Sequence, residues 1–211
     1  MLKLLSRSLA TVCFAVAALV SAPAHAVVGF ADVVLGYFDS GAGPFAGPYG
    51  GLGGIGGAFP VAVPTSVVLG PDTAGSETFL SLPKGSYVTV GFVDETVLDG
   101  VGNDIFIQEI GASGERANVY VSSDNVTFVF LGIANDSITT AFDLASINFA
   151  APVTAIRIEG LDSLGGSPGF DVVNVQVLPG SIGPGRVPEP ASLALVGLAL
   201  AGAGLASKRR V

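Results

Sequence analysis

Short apolar runs in which every second residue is polar recur between residues 27 and 187, and this period of two is the strongest constraint on the fold. In one such run, Ile156 and Ile158 point to one side and Arg157 to the other. Eight runs predict strands, at Phe30–Tyr37, Val61–Leu69, Tyr87–Val93, Ile105–Ile110, Ala117–Ser122, Phe128–Ile133, Ala155–Leu161 and Phe170–Leu178. Because half-buried strands joined by short turns are typical of antiparallel sheets packed face to face, we expect an all-β, antiparallel jelly-roll β-sandwich.

The segments between these runs predict their own local structures. Ser123–Asn125 is a hairpin turn signal, since Asn and Asp tolerate the left-handed region. Residues 142–146 predict a single helical turn. Residues 40–60 hold nine glycines and three prolines, which predicts a long Gly-rich loop.

The N-terminal residues 1–26 predict a secretory signal peptide. Lys3 and Arg7 precede an uncharged run over Leu9–Val20, followed by Ala24 and Ala26 in an Ala-x-Ala cleavage site. Twelve residues of helix span about 18 Å, which is shorter than a hydrocarbon core of about 30 Å. We therefore expect cleavage after Ala26 and export of the chain.

The C-terminal residues predict a linker, a membrane helix and a basic tail. The linker, 181–190, ends in Val187, Pro188, Glu189 and Pro190, and the apolar segment 191–207 is expected to form a transmembrane helix. Lys208, Arg209 and Arg210 belong to the tail, 208–211, which is expected to stay cytoplasmic. With the N-terminus exported, the β-sandwich domain, 27–180, is expected outside the inner membrane. A plain C-terminal anchor with a Pro-rich stalk is the alternative interpretation.

This order of Pro-Glu-Pro, apolar span and basic tail resembles the PEP-CTERM sorting signal of Gram-negative bacteria, over residues 187–211. The resemblance implies an exosortase-like processing enzyme as partner, which recognises the Pro-Glu-Pro motif and removes the tail. It also implies transient anchoring in the inner membrane, then a cell-surface or extracellular location. The prolines at 188 and 190 agree with this, because they prevent a regular helix and leave an extended, protease-accessible segment.

The composition of residues 27–187 excludes several kinds of chemistry. The only Cys, His and Met of the chain lie at positions 13, 25 and 1, so this region has no Ser-His-Asp or Cys-His nucleophile, no thiol redox centre and no zinc site built on His or thiolate. Sixteen acidic and four basic residues also argue against nucleic-acid binding, which needs a basic face. We expect no catalytic residues and no enzymatic activity, with a hydrolase that uses only carboxylates as a minor alternative.

Two acidic loops are candidate calcium sites. Asp99, Asn103 and Asp104 lie in a run of acid, amide and Gly residues over 94–104, and Asp171 ends a second acidic loop over 162–171. Because Ca²⁺ takes six to eight oxygen ligands, these four residues predict a structural calcium ion if the adjoining strands pair. The spacing is not that of an EF-hand, and ordinary Asp/Asn/Gly turn chemistry remains the alternative.

The body also resembles bacterial cell-surface domains of the galactose-binding-like and discoidin-like type. The similarity runs through residues 68–72, 85–92, 99–109, 119–128, 142–144 and 169–171. It implies a jelly roll that often binds glycans or carries a structural calcium. Two functions stay open: a non-catalytic surface or matrix protein, and a carbohydrate-binding module for exopolysaccharide or cell-surface glycan. Trp is absent, so a sugar-stacking platform would depend on Tyr37, Tyr49, Tyr87 and Tyr120.

Overall fold

The computed structural model describes residues 28–53, 59–71, 78–93, 95–111, 113–136, 139–178 and 181–182. In chain order the strands are β1 (Gly29–Phe30), β2 (Val33–Phe38), β3 (Tyr49–Gly51), β4 (Val61–Ala62), β5 (Phe79–Leu82), β6 (Tyr87–Gly91), β7 (Ile105–Glu109), β8 (Arg116–Ser122), β9 (Val129–Asn135), β10 (Thr139–Phe142), β11 (Ala155–Gly160) and β12 (Phe170–Val177). Two 3₁₀ helices, Thr65–Val68 and Leu144–Ile147, complete the described elements.

The strands form two antiparallel sheets. One sheet has the order β10-β7-β12-β5-β3-β4, with β1 also paired to β12, and the other has the order β2-β6-β11-β8-β9. Every strand pair is antiparallel. The predicted all-β class is confirmed, and the arrangement fits the predicted jelly roll. The signal peptide and the C-terminal helix of that prediction lie outside the described residues.

One hydrophobic core lies between the two sheets. Ile156 and Ile158 of β11 and Ile105 and Ile107 of β7 are fully buried in it, although the two strands belong to different sheets. The residues between them, such as Arg157, are only half-buried and lie on the outer faces. The period of two in the sequence is therefore the in-and-out alternation of a sandwich.

The Gly-rich stretch is not loop throughout, because Tyr49–Gly51 forms β3. Gly50 pairs with Leu80 so closely that a Cβ there would lie 2.0 Å from the carbonyl oxygen of Phe79. Only glycine allows this approach of two backbones. The composition that favoured a loop is thus what makes this strand possible.

Other element boundaries differ from the prediction. β5 and β10 were not predicted, and the expected strand at Val61–Leu69 ends at Ala62. Proline lacks the N–H that would continue the hydrogen-bond ladder of a sheet, so the strand does not extend through Pro64. The first 3₁₀ helix begins directly after this residue. The predicted helical turn is confirmed as the second 3₁₀ helix, whose first turn is capped by a 2.8 Å hydrogen bond from the Ala145 N–H to the Asp143 carboxylate.

The predicted hairpin turn at Ser123–Asn125 is confirmed between β8 and β9. Asn125 has a φ of 56°, in the left-handed region. The Asp124 carboxylate accepts the N–H groups of Val126 and Thr127 at 2.9 and 2.8 Å. These hydrogen bonds lower the pKa of Asp124 to about 2, so the turn keeps its acceptor ionised at neutral pH.

The register of β7 and β12 defines the two ends of the sandwich. Glu109 pairs with Val172 at one end, and Ile105 pairs with Val177 at the other. Gly29 of β1 also pairs with Val177. The first and last strands of the described body therefore meet at the second end, which we call the Asp104 end.

Candidate functional site

An aromatic cleft lies on the outer face of the five-stranded sheet. Register places Phe38 beside Tyr87, and Tyr87 beside Glu159, across β2, β6 and β11. Arg157 is paired with Tyr120 of β8 on its other side. The cleft has a volume of about 450 Å³, and its lining residues are Phe38, Gly85, Tyr87, Tyr120, Phe128, Arg157 and Glu159.

Arg157 is held between two aromatic rings at the centre of this cleft. Its guanidinium carbon lies 4.3 Å from the ring centroid of Tyr87 and 3.7 Å from that of Phe128. Its Nε donates a 3.2 Å hydrogen bond to Thr89 Oγ1. These contacts restrict a side chain that otherwise has many rotamers, because cation–π and hydrogen-bond geometry both fix the guanidinium plane.

Two aromatic pairs extend the surface on either side of Arg157. The rings of Phe38 and Tyr87 stack at 5.4 Å with an angle of 22°. Tyr120 and Phe130 meet edge to face at 5.7 Å and 67°. Phe38 and Phe130 remain 49% and 47% exposed, so apolar ring area stays open to solvent beside the cleft.

Polar groups are placed between the rings. Asn118 Nδ2 donates to the Tyr120 hydroxyl at 3.2 Å. Burial raises the pKa of Tyr120, and the charge of Glu159 and a hydrogen bond to its carboxylate raise it further. The phenol therefore stays protonated near neutral pH. The cleft thus combines ring faces with a cation, a carboxylate and neutral hydrogen-bonding groups.

The four tyrosines singled out in the sequence have different environments. Tyr87 and Tyr120 line the cleft. Tyr49 is fully buried and donates its hydroxyl hydrogen to the Pro168 carbonyl. Burial raises the pKa of Tyr37 to about 12, and its hydroxyl has no hydrogen-bond partner among the described residues. Only two of them are therefore placed to contact a ligand in this cleft.

Sequence analysis did not select the other lining residues. Phe38 directly follows the strand predicted at Phe30–Tyr37, and Phe128 begins the strand predicted at Phe128–Ile133, so alternation did not show which way either ring points. Arg157 and Glu159 did carry a signal, because they are the polar partners of Ile156 and Ile158 in an alternating run. What could not be anticipated was the register that brings β2 and β6 beside them.

A second cluster of polar side chains lies at the end of the sandwich where Glu109 pairs with Val172, opposite the Asp104 end. We call this end the acidic end. It consists of Glu109, Glu115, Asp136, Asp162 and Asp171, which lie at or next to the ends of β7, β8, β9, β11 and β12. One carboxylate oxygen each from Glu109, Glu115 and Asp136 lie within 4.8 Å of one another. This grouping, like the cleft, is made by the register of the strands.

Glu115 is the most enclosed carboxylate of the acidic end. Its side chain is 1% exposed, and its Oε1 atom has no hydrogen-bond partner in the described part of the chain. Burial raises the pKa of Glu115 to about 7, a backbone hydrogen bond from Gly169 opposes this, and the charges of Glu109, Asp136 and Asp162 add to the rise. Glu115 therefore takes up a proton more readily than an exposed glutamate does.

Asp171 lies beside this trio on β12. It accepts a 2.5 Å hydrogen bond from the Ser81 hydroxyl, whose oxygen lies 2.7 Å from the Ser167 hydroxyl. Since Ser81 uses its only hydrogen on Asp171, Ser167 donates to Ser81. Burial raises the pKa of Asp171 to about 9 despite that hydrogen bond, and the nearby carboxylates of Glu115 and Glu109 raise it too.

The four predicted calcium ligands are not brought together. Asp99 and Asp104 do lie close to each other, with Asp143 as a third carboxylate. Asn103, however, is exposed while Asp104 is fully buried. Asp171 is at the acidic end, about 20 Å away, because β7 and β12 separate the two ends. A cation at Asp99 and Asp104 stays a prediction.

Asp104 has a different set of contacts from those of a typical metal ligand. Its Oδ1 accepts the Gly100 N–H at 2.8 Å and the Ser181 hydroxyl at 2.5 Å, and its Oδ2 accepts the Leu144 N–H at 2.7 Å. Both oxygens are thus engaged by protein donors. The carboxylate joins the loop before β7, the second 3₁₀ helix and the segment that follows β12.

The sorting residues of the sequence lie outside the described residues. These are the cleavage-site residues Ala24 and Ala26, the motif Val187–Pro190 and the tail cluster Lys208, Arg209 and Arg210. Within the ranges that the structure describes, no helix is both long and apolar enough for a membrane span.

Comparison with known proteins gives a match to one family model and similarity to solved structures that include the following two. Residues 186–210 match the model of the PEP-CTERM protein-sorting motif. The CBM32 domain of AlyQ in complex with 4,5-unsaturated mannuronic acid is 16% identical, with a TM-score of 0.37, over 48% of this chain and 77% of that chain. CpGH89 from Clostridium perfringens, in complex with GlcNAc-alpha-1,4-galactose, is 15% identical, with a TM-score of 0.38, over 68% of this chain and 15% of that chain. No curated protein matches the sequence.

The family match agrees with the resemblance carried by the Pro-Glu-Pro triplet, the apolar span and the basic tail. Such a motif implies processing by an exosortase. Residues 186–210 thus carry a PEP-CTERM sorting motif, which indicates a protein of a Gram-negative bacterium that is exported and transits the membrane.

Proposed function

We propose that this protein is a non-catalytic, exported surface protein that binds a polysaccharide chain through the aromatic cleft of its five-stranded sheet. The observation that carries this proposal is Arg157, held between the rings of Tyr87 and Phe128 beside Glu159 in an open cleft. Exopolysaccharide or cell-surface glycan is the ligand class.

Aromatic faces next to fixed polar groups suit the chemistry of a sugar ring. The axial C–H groups of a pyranose form an apolar patch that packs on an aromatic face, here offered by the half-exposed rings of Phe38 and, beside the cleft, Phe130. Hydroxyl groups at the rim of the sugar need paired donors and acceptors, which Arg157 and Glu159 provide at the same site. Because these side chains are already ordered by their mutual contacts, binding requires little further ordering.

Catalysis is not part of this function. Glycoside hydrolysis generally uses two carboxyl groups on either side of the scissile bond. Among the described residues that line the cleft, Glu159 is the only carboxylate. The buried acids of the acidic end lie on another part of the molecule.

The cleft predicts a selective loss of polysaccharide binding when its rings are removed. Replacing Tyr87 or Phe128 by alanine is expected to weaken binding about tenfold or more, because each change removes a ring that holds the Arg157 guanidinium in place. Affinity electrophoresis or co-sedimentation with exopolysaccharide from a producing strain measures the loss. Phe45→Ala is the matched control, since Phe45 is 40% exposed and lies outside the cleft. Equal retention of wild type, the cleft variants and the control would contradict the proposal.

Sorting through the PEP-CTERM motif supplies the location that this function requires. We propose that the chain is anchored transiently in the inner membrane by residues 191–207 and is then processed by an exosortase-like enzyme. Release from the membrane delivers the cleft to the cell surface or the extracellular matrix, where polysaccharide is present.

Intact-mass analysis of the secreted protein tests this sorting route. We expect a product that begins at Val27 and lacks Lys208, Arg209 and Arg210. Changing both Pro188 and Pro190 to alanine is expected to abolish processing and to retain the protein in the inner-membrane fraction. Pro184→Ala, outside the triplet, serves as the matched control. A secreted wild-type product with an intact C-terminus would disprove processing.

A further inference from the structure

The guanidinium of Arg157 is fixed in the aromatic cleft, but its terminal nitrogens have no partner there. Its two faces are covered by the rings of Tyr87 and Phe128, with centroids at 4.3 and 3.7 Å from the guanidinium carbon. Its Nε donates to Thr89 Oγ1 at 3.2 Å. Among the described residues, Arg157 makes no other hydrogen bond and no ion pair, and neither Nη atom is buried. The Nη donors therefore meet solvent in the open cleft.

Glu159 lines the same cleft but is not the partner of this cation. Its carboxylate accepts a hydrogen bond from the Tyr120 hydroxyl. Because side chains alternate along β11, Arg157 and Glu159 lie on the same face of the sheet, two residues apart. Within the part of the chain that the structure describes, no ion pair joins them. The protein's own carboxylate thus comes near the guanidinium and leaves its Nη donors open.

A guanidinium edge presented in this way matches a carboxylate best. It offers two parallel N–H donors in one plane, which a carboxylate accepts with both of its oxygens. A sugar hydroxyl accepts with a single oxygen and carries no charge, so it uses only part of this edge. Because the two rings and Thr89 already order Arg157, such pairing immobilises little more of its side chain.

We propose that the polysaccharide bound in the aromatic cleft is acidic, and that Arg157 pairs with a carboxylate carried by one of its sugar rings. This inference rests on the proposed function, since it names the class of polysaccharide that the same cleft takes. A pyranose with a carboxylate at its rim presents an apolar face and an anion side by side. The half-exposed ring of Phe38 stacks on Tyr87, next to Arg157, and offers a surface for the apolar face.

The charge of the body makes this pairing selective. Residues 27–187 include sixteen acidic and four basic residues, so the surface as a whole repels an acidic polymer. Arg157 is the only cation among the described residues that line the cleft. At physiological ionic strength, charges more than about 8 Å apart are largely screened, whereas a pair in contact inside a cleft is screened much less. An acidic chain is therefore held at the cleft and disfavoured elsewhere on the surface.

Co-sedimentation of the secreted protein with exopolysaccharide from a producing strain tests this inference. The polymer is used as isolated and after chemical reduction of its carboxyl groups to alcohols, which removes the charge and keeps the sugar backbone. The wild type is expected to bind the untreated polymer at least about tenfold more tightly than the reduced polymer. Equal binding to both would overturn this inference and leave the proposed function standing. Binding to neither would contradict both.

Substitution of Arg157 separates recognition of a carboxylate from a merely structural role. Arg157→Lys keeps the charge but loses the planar pair of donors, so its affinity is expected to fall about tenfold for the untreated polymer and less than about threefold for the reduced one. Arg116→Lys is the matched control, because Arg116 is exposed at the start of β8 and lies outside the cleft. It is expected to bind both polymers as the wild type does. An equal loss on both polymers in a folded Arg157→Lys protein would overturn the inference.

Substitution of Glu159 gives a readout in the opposite direction. Glu159→Gln removes the only carboxylate among the described lining residues and keeps an acceptor for the Tyr120 hydroxyl. It is expected to bind the untreated polymer about twofold or more tightly than the wild type does, because a like charge beside the bound carboxylate is removed. Binding of the reduced polymer is expected to show no such gain. A gain of the same size on both polymers would argue against a carboxylate in the cleft.

Discussion

Replacing Asp104 by alanine is expected to lower the free energy of unfolding by about 3–5 kcal/mol, which is a large part of the stability of a domain this size. The side chain is fully buried, and the change leaves the Gly100 N–H, the Leu144 N–H and the Ser181 hydroxyl without their acceptor. These donors belong to three segments that no single strand connects. We therefore expect the Asp104 end to loosen as a whole.

Thermal or urea unfolding of the Asp104→Ala protein measures this effect. A loss of this size corresponds to a decrease in Tm of about 10 °C for a body of about 150 residues. Asp99→Ala is the control, because Asp99 is exposed and its loss is expected to cost within about 0.5 kcal/mol. If both variants unfold at the same temperature or urea concentration as the wild type, the hydrogen bonds of Asp104 do not stabilise the fold. If chelation alone destabilises the wild type while Asp99→Ala removes that effect, a cation at this end is supported.

Replacing Gly160 by alanine is expected to prevent folding altogether. Gly160 ends β11, and a Cβ there would lie 1.9 Å from the Leu82 carbonyl oxygen and 2.8 Å from that of Pro83. These are backbone atoms at the end of β5, in the other sheet, so no side-chain rotation relieves the clash. The Gly160 N–H and carbonyl also bond Ser86 and Gly85 across the turn between the sheets. A cost above about 4 kcal/mol is expected.

Circular dichroism and the yield of soluble protein measure this effect directly. Gly36→Ala is the matched control, because nothing lies within 4 Å of a Cβ built on Gly36. That variant is expected to be neutral or slightly more stable, since alanine reduces the entropy of the unfolded chain. A well-folded Gly160→Ala protein would show that β5 and β11 are not as close as the structure places them.

Local patterns predicted the strands and turns because their physical causes are local. The alternation of Ile156 and Ile158 with Arg157 predicts which face of β11 is buried. Asn125 is a residue type that tolerates positive φ, which predicts a turn. The absence of His and Cys from residues 27–187 likewise limits the chemistry of any site without reference to a fold. Such inferences need only the residue and its immediate neighbours.

The sites were harder to predict because they depend on register between distant strands. Grouping acids by their position in the chain placed Asn103 with Asp104, although adjacent residues of an extended chain point to opposite sides. The same grouping separated Glu109 from Asp171, which β7 and β12 bring to one end of the sandwich. Register shifts at Val34/Gly36, Val119/Tyr120 and Val172/Asn174 further change which side chains are neighbours. No signal in the sequence alone shows where these shifts fall.

The pairing of Gly29 with Val177 brings the start and the end of the described body to the same pole of the sandwich. β12 runs from Phe170 at the acidic end to Val177 at the Asp104 end, a length of about 25 Å. The segment that carries the sorting motif follows residue 182 and therefore leaves the described body at the Asp104 end. The five clustered acids lie at the opposite pole, about 25 Å from that exit, so the sorting segment and the acidic end are at maximal separation in the sandwich.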